Sequence, residues 1–253
     1  MFRHKPKLTR SRPFCLAFHA PKPFATVTFQ KAEKKKQESQ PGFKYLYSDI
    51  GNFHASHLRR IGGLDYARLV TEANLQICEQ GHFIKSISQC RRVLGDLDFD
   101  SGNHESARAH YEAALKIARS ISRRDVLIEA LLARGRFYAK VAVGARSSRP
   151  DNTRPGSGHP TPTITDAFAD LNEALNYAVE GGYRIYEADI RVALGWAYLA
   201  DLTPDPSPKR RGEILAKAKE SAERALQMSQ EMGYHWGKVD AEEVLDVIAR
   251  RVE

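Results

Sequence analysis

The sequence lacks several features that would place it in a well-defined functional class. No apolar run approaches the ~18 residues that a membrane-spanning helix needs. It contains no G-x4-G-K-[ST] phosphate loop, no G-x-G-x-x-G dinucleotide fingerprint and no G-x-S-x-G nucleophile elbow. These absences argue against a transmembrane helix, a P-loop NTPase, a Rossmann dehydrogenase and an α/β-hydrolase.

Cysteine is also scarce. The three cysteines are Cys15, Cys78 and Cys90, and no two of them have CxxC spacing. An odd number without a pattern is typical of a reducing compartment and not of a disulfide framework. We therefore expect a cytoplasmic protein, with two cysteines that pack on helix faces and one in the N-terminal tail.

Excess positive charge is missing from most of the chain, although the net charge is +8. Residues 1–41 hold ten of the 39 Lys and Arg but only two of the 31 Asp and Glu, so the remainder holds 29 of each. We expect residues 1–41 to form a disordered basic tail. The apolar patch FCLAFHA within it is interrupted by His19 and followed by PKPF, which argues against a secretory signal.

The sequence does contain a repeated pair of helices. In VLGDLDFDSGNHESARAHYEAALKIARSI, residues 93–121, Gly95 lies in a first helix and SGN forms a turn. Ala107, Tyr111 and Ala114 follow on one face of a second helix, at spacings of four and three residues. The small residues among these allow two antiparallel helices to approach closely, and Tyr111 fills the gap between neighbouring pairs.

This pattern recurs along the chain. LLARGRFYAK and RVALGWAYLA repeat the first helix, while DAFADLNEALNYA and LAKAKESAERALQM repeat the second. YARLVTEANLQIC matches the second helix only partly, because Asn74 replaces a small residue. The periodicity predicts helices over residues 64–80, 82–100, 104–121, 124–142, 164–180, 184–201, 214–232 and 237–251, with a weaker one over 43–60.

The repeat is 40 residues long and carries two insertions. Gly95 and Gly135, at equivalent positions, are 40 residues apart. Ala107 and Ala167 are 60 residues apart, and Ala167 and Ala218 are 51 residues apart, so these spacings exceed 40 residues by 20 and by 11. Both excesses fall in stretches rich in Pro, Gly and Ser, near 144–163 and 203–213. We predict that these stretches are loops inserted between the two helices of a pair.

These features resemble the tetratricopeptide repeat, whose first helix carries W-x2-L-G-x2-Y and whose second carries A-x3-F-x2-A. The 40-residue length and the closing part of the chain, from GGYRIYEADIRVALGWAYLA onwards, resemble the C-terminal arrays of bacterial NACHT/STAND-type NTPases. The resemblance implies an all-α fold, a right-handed superhelical array of antiparallel helix pairs. It divides the chain into the tail over 1–41, a partial repeat over 42–81, three repeats over 82–235 and a capping helix over 236–253.

No set of residues indicates catalysis or a bound cofactor. His104 and His110 are six residues apart, so they do not share a helix face as the histidines of an H-E-x-x-H site do. His54 and His57 can face the same way on a helix, but a metal site there would lack its third and fourth ligands. We therefore expect a protein that is not an enzyme and that needs no cofactor and no metal.

In arrays of this type the first helix of each pair lines the concave face, and its exposed positions are the candidate binding residues. The candidates are Gln89, Arg92, Asp96, Phe99, Glu129, Leu132, Arg136, Lys140, Asp189, Trp196 and Leu199. Their charge is mixed, and Trp196 serves either as an aromatic anchor or as core filling. Asp96 and Asp189 have the wrong charge for clamping a terminal carboxylate, which disfavours a receptor for chaperone tails.

The resulting prediction is a scaffold or sensor module that binds a peptide or helix of a partner protein in its concave groove. We expect no membrane association. One alternative is a remnant of a bacterial STAND/NACHT NTPase that has lost its NTPase and effector domains. The other is a nucleic-acid binder that acts through the basic tail, although we do not expect nucleic acid to be the main partner.

Overall fold

Ten α-helices hold almost all of the residues that the structure describes. In this computed structural model those residues are 22–147, 162–202 and 207–252, and no strand occurs within them. The helices are α1 (Lys22–Ser39), α2 (Ser48–Arg60), α3 (Leu64–Gln80), α4 (Ile84–Asp100), α5 (His104–Ser120), α6 (Arg124–Ser147), α7 (Ile164–Glu180), α8 (Arg184–Asp201), α9 (Pro208–Met232) and α10 (His235–Val252). No helix in the described ranges has the length and apolarity that crossing a bilayer requires. The start of the predicted tail, including Cys15, the centre of the predicted loop near 144–163 and the start of the one near 203–213 lie outside these ranges.

Consecutive helices pack against one another in pairs. Helix α2 packs on α3, α4 on α5, α6 on α7 and α8 on α9, while α10 packs on both α8 and α9. The first helices of successive pairs also touch, so α2, α4, α6, α8 and α10 follow one another along one side of the molecule. We call these five the inner helices. The predicted all-α array of helix pairs is therefore confirmed.

Short turns of the same form join several of these helices. The middle residue of the turn has a positive φ of 87° at Gly62 and 78° at Gly102, where glycine meets no steric penalty. His82 lies at the equivalent position with a φ of 53°, in the left-handed region that other residues rarely adopt. The turn therefore recurs every 20 residues between positions 62 and 102.

Small residues permit the helices of a pair to approach closely, as the sequence predicted. A Cβ atom on Gly95 would lie 2.8 Å from Cε1 of Tyr111, and one on Gly135 would lie 2.8 Å from Cγ of Leu171. Neither position has room for a larger residue. Tyr111 also contacts Phe137 of the next pair, with ring centroids 5.2 Å apart, so it joins two pairs.

Helix α1 contradicts the prediction of a disordered tail over 1–41. Phe29 in this helix is fully buried and stacks on His54 of α2, with ring centroids 5.0 Å apart. Thr26 Oγ1 lies 2.9 Å from Nε2 of His57. The prediction is wrong for Lys22–Ser39 because it was based on the Lys-rich composition. The apolar residues of α1 recur at helical spacing and pack on α2.

Both predicted loops are shorter than expected, since helices extend into them. Helix α6 continues to Ser147, so residues 144–147 are helical. Helix α9 begins at Pro208, whose fixed φ suits the first helical position. Ser207 caps this helix by accepting a hydrogen bond from the N–H of Arg210 at 3.4 Å. The prediction of a loop as far as residue 213 is therefore wrong from Pro208 onwards.

Candidate functional site

The inner helices enclose a cavity of about 830 Å³. All five inner helices contribute to its walls. Its main aromatic and apolar side chains are Phe99, Phe137, Val192, Trp196 and Leu199. Its charged side chains are Arg59, Arg60, Asp96, Asp100, Arg136, Lys140, Asp240, Glu243 and Arg251. The inner side of the array is thus a concave surface with both aromatic rings and charges of both signs.

Six of the eleven candidate residues line this cavity, namely Asp96, Phe99, Arg136, Lys140, Trp196 and Leu199. Two of the others, Gln89 and Leu132, are only 4% and 6% exposed. Neither of these two lines the cavity, because α4 and α6 have helices packed on both sides and behind them. Only a narrow stripe of each inner helix therefore faces the cavity.

A hydrogen-bonded ladder links four successive inner helices. Asn52 Nδ2 in α2 donates to Oε1 of Gln89 in α4 at 3.5 Å, and Gln89 Nε2 donates to Oε2 of Glu129 in α6 at 3.1 Å. The hydroxyl of Tyr186 in α8 donates to the other oxygen of Glu129. Cys90, which is buried and free, donates its thiol hydrogen to Oδ1 of Asn52 at 3.2 Å. Gln89 and Glu129 thus hold neighbouring repeats together and lie outside the cavity lining.

The carboxylates of α4 are compensated by cations of the protein itself. Asp96 accepts hydrogen bonds from the Tyr111 hydroxyl at 2.8 Å and from Arg92 Nη1 at 3.1 Å. Arg59 Nη1 lies 3.6 Å from Asp96, and its Nε donates to Asp100 at 2.5 Å. Burial alone would raise the pKa of Asp96, but Arg59 and Arg92 outweigh this effect and lower it. Asp96 is therefore charged at neutral pH and fully engaged.

Arg136 and Lys140 differ from these groups because no carboxylate pairs with them. They lie one turn apart on α6, and neither forms an ion pair with any residue of the described ranges. Lys140 Nζ lies 5.2 Å from the centre of the Phe99 ring, a cation–π distance. Burial, and then repulsion from Arg136 and Arg59, lower the pKa of Lys140. This part of the cavity therefore combines an aromatic wall with two cations that form no ion pair among the described residues.

Asp189, another candidate residue, has a structural partner and does not line the cavity. Its Oδ1 accepts a hydrogen bond from the hydroxyl of Tyr234 at 2.9 Å, which ties α8 to the turn before α10. Burial raises the pKa of Asp189 to about 6, although Arg136 and the bond from Tyr234 act in the opposite direction.

An ion pair joins the two ends of the inner face. Arg60 Nη2 in α2 lies 2.5 Å from Oδ1 of Asp240 in α10, and its guanidinium lies 4.2 Å from the centre of the Trp236 ring. Arg60 and Asp240 both border the cavity. We call this contact the bridge. Sequence reasoning missed it, because a contact between residues 180 positions apart leaves no periodic signal.

No metal centre is visible in the part of the chain that the structure describes, where no three His, Cys, Asp or Glu side chains gather into a ligand set. His54 and His57 pack against Phe29 of α1. His104 packs against Phe99, with ring centroids 5.4 Å apart. The cavity itself presents aromatic rings and charged groups to a ligand.

Comparison with known proteins does not assign a family to the chain. No protein-family model matches it, and no curated protein gives a significant match.

Proposed function

We propose that the chain is a non-enzymatic interaction module of the tetratricopeptide type, which binds a short segment of a partner protein on its inner side. The cavity supports this proposal most directly, because the first helix of each successive pair contributes to its walls. Ligand sites are typically concave and apolar, with a few placed polar groups. Trp196 is half-buried in the wall, so part of its ring is free to contact a partner side chain.

The packing of the array adds a second argument for an interaction module. Close contacts such as Gly135 with Leu171 hold the helices of a pair in one arrangement. The ladder through Gln89 and Glu129 holds successive inner helices in register. A binding surface built on rigid elements loses little conformational entropy when it binds its partner.

The proposal is tested by selecting peptides from a random displayed library against the full chain. We expect selected peptides to lose affinity by about tenfold or more when Trp196→Ala or Lys140→Glu alters the cavity. Lys116→Glu is the matched control, because this exposed lysine lies on α5, which is not an inner helix. Binding is measured by isothermal titration calorimetry, and circular dichroism verifies that each variant is folded.

Two outcomes would contradict the proposal. Peptides that bind Lys140→Glu and Trp196→Ala as tightly as the wild type would show that the cavity is not the peptide site. A library that yields no peptide with reproducible binding would show that the inner side does not act as a peptide receptor.

A further inference from the structure

Two cations of the cavity, Arg136 and Lys140, form no ion pair with any residue of the described ranges. Bringing positive charge into a partly dehydrated site costs free energy unless an opposite charge compensates it. We propose that the cavity binds a small aromatic anion, a flat ring system that carries a phosphate or carboxylate group. This inference goes beyond peptide binding, because the ligand is a free small molecule and needs no partner protein.

The distribution of charge in the cavity indicates that the anionic group of the ligand lies beside Arg136 and Lys140. Asp96 and Asp100 are compensated by Arg59, and Asp240 is compensated by Arg60 in the bridge. These three carboxylates are thus already paired with other cations. Arg136 and Lys140 lie one turn apart on α6 and can donate to one anionic group together, as charge-assisted hydrogen bonds require.

The aromatic side chains next to these cations indicate that the rest of the ligand is a flat ring system. Phe99 lies beneath the Lys140 ammonium, and its ring meets Phe137 edge-on at a centroid distance of 5.6 Å. Trp196, from α8, supplies another aromatic wall, and Leu199 follows it on the same helix. An inorganic anion alone would bury little apolar area against these walls. A flat ring buries apolar area against them and stacks on their faces.

The size of the cavity fits a molecule of this class. Cavities that hold small molecules usually measure ~300–1,000 Å³, and this one measures about 830 Å³. The bridge between Arg60 and Asp240 borders the cavity and joins the ends of its wall. A compact ligand can therefore be surrounded by all five inner helices at once.

The inference is tested by calorimetric titration of the full chain with 1-naphthyl phosphate and 1-naphthoate. Two matched compounds separate the contributions of the anionic group and of the ring to the affinity. 1-Naphthol lacks the anionic group, and inorganic phosphate lacks the ring. We expect the two naphthyl anions to bind, and 1-naphthol and phosphate to bind at least about tenfold more weakly. Arg136→Met and Lys140→Met should each weaken the binding of the naphthyl anions about tenfold or more, while Lys116→Met should not change it.

A second measurement reports on the position of the ligand and does not depend on the cation variants. The chain has two tryptophans, so Trp236→Phe leaves Trp196 as its only indole. In this variant, 1-naphthyl phosphate should shift the Trp196 indole N–H resonance in the NMR spectrum. The inference is overturned if the naphthyl anions do not bind, if 1-naphthol binds as tightly, if neither cation variant changes the affinity, or if the indole resonance does not move. Peptide selection uses different ligands, so either proposal can fail without the other.

Discussion

Arg60 in α2 and Asp240 in α10 form an ion pair with 2.5 Å between Nη2 and Oδ1, across 180 residues of sequence. The same guanidinium lies over the ring of Trp236 at 4.2 Å. Because α2 and α10 are the first and last inner helices, this bridge connects the two ends of the array. Arg60 and Asp240 thus border the cavity on the inner side of the array.

Breaking the bridge should loosen the ends of the array. Arg60→Ala removes an ion pair of modest exposure and a cation–π contact, and we expect a loss of about 1 kcal/mol in the free energy of unfolding. Urea unfolding measures this loss, and hydrogen exchange should rise in α10. Arg250→Ala, an exposed arginine of the same helix, is the control. A double-mutant cycle of Arg60→Ala with Asp240→Ala that shows no coupling would refute the energetic role of the bridge.

The close contact at Gly135 predicts opposite effects for two glycine-to-alanine substitutions. In Gly135→Ala the new Cβ would meet Cγ of Leu171 at 2.8 Å, so the pair α6–α7 must move apart, at a cost of about 1–3 kcal/mol. In Gly212→Ala the new Cβ meets nothing within 4 Å, and the helix should gain about 0.5–1 kcal/mol. Urea midpoints compare the two variants. A Gly135→Ala chain as stable as the wild type would show that the helix pair is not closely packed.

His54 should make the chain less stable in mild acid. Burial, with repulsion from His57, lowers its pKa from 6.5 to about 4 in the folded chain. As the pH falls from about 6.5 to about 4, His54 binds a proton in the unfolded chain but stays neutral in the folded chain. Stability is therefore unaffected above this window and falls within it, by on the order of 3 kcal/mol.

His54→Phe tests this origin of the acid sensitivity. The substitution preserves a ring against Phe29 and removes the titrating group, and Nδ1 of His54 has no hydrogen bond to lose among the described residues. We expect the variant to lose less stability between pH 7 and about pH 4 in urea unfolding experiments. If the free energy of unfolding depends on pH in the same way in the wild type and in His54→Phe, the acid sensitivity arises from other groups.

Asp189 should have the opposite effect on the pH dependence. Its pKa is raised from 3.8 to about 6, mainly by burial, so the folded chain holds a proton that the unfolded chain releases. The stabilisation that the protonated Asp189 carboxyl contributes to the folded chain is complete below about pH 3.8. It is lost as the pH rises through about 6. Asp189→Asn keeps an oxygen that accepts from Tyr234 and should raise stability at neutral pH by on the order of 1–3 kcal/mol.

The control for this substitution is Asp246→Asn, at an exposed position of α10. It should leave the urea midpoint unchanged at both neutral and acidic pH. A gain for Asp189→Asn that is as large near pH 4 as at neutral pH would contradict the assignment, because the carboxyl is protonated there in the folded chain.

Deleting residues 203–213 should leave the array intact. The described part of this stretch is the exposed start of α9, where Arg211 donates to the backbone oxygen of Arg251 at 2.7 Å. We expect the free energy of unfolding to change by less than about 1 kcal/mol, because all of the described residues removed are exposed and the shorter connection offsets part of the loss of the Ser207 cap. Ile214→Ala, at the adjoining buried position, should cost about 2–5 kcal/mol in the same thermal and urea experiments. A deletion that costs as much would show that the stretch packs on the array.

The sequence predicted the periodic part of the fold because each helix pair is specified by nearby residues. The spacing from Gly95 to Tyr111 encodes a close contact within one pair, and the pair forms in the structure as expected. Helix α1 was missed because its apolar residues are few and lie beside a Lys-rich run. Its stability depends on contacts such as Phe29 with His54, which no local pattern shows.

The sequence by itself determined the helix pairs and the repeat length, because helical periodicity is a local property. Only the tertiary structure decided which inner residues can bind a ligand. Gln89 and Glu129 form a hydrogen bond with each other, whereas Arg136 and Lys140 form no ion pair within the described ranges. The physical reason is that contacts between helices depend on how successive repeats are placed relative to one another. The bond between Arg60 and Asp240, 180 residues apart, shows that such contacts leave no local pattern in the sequence.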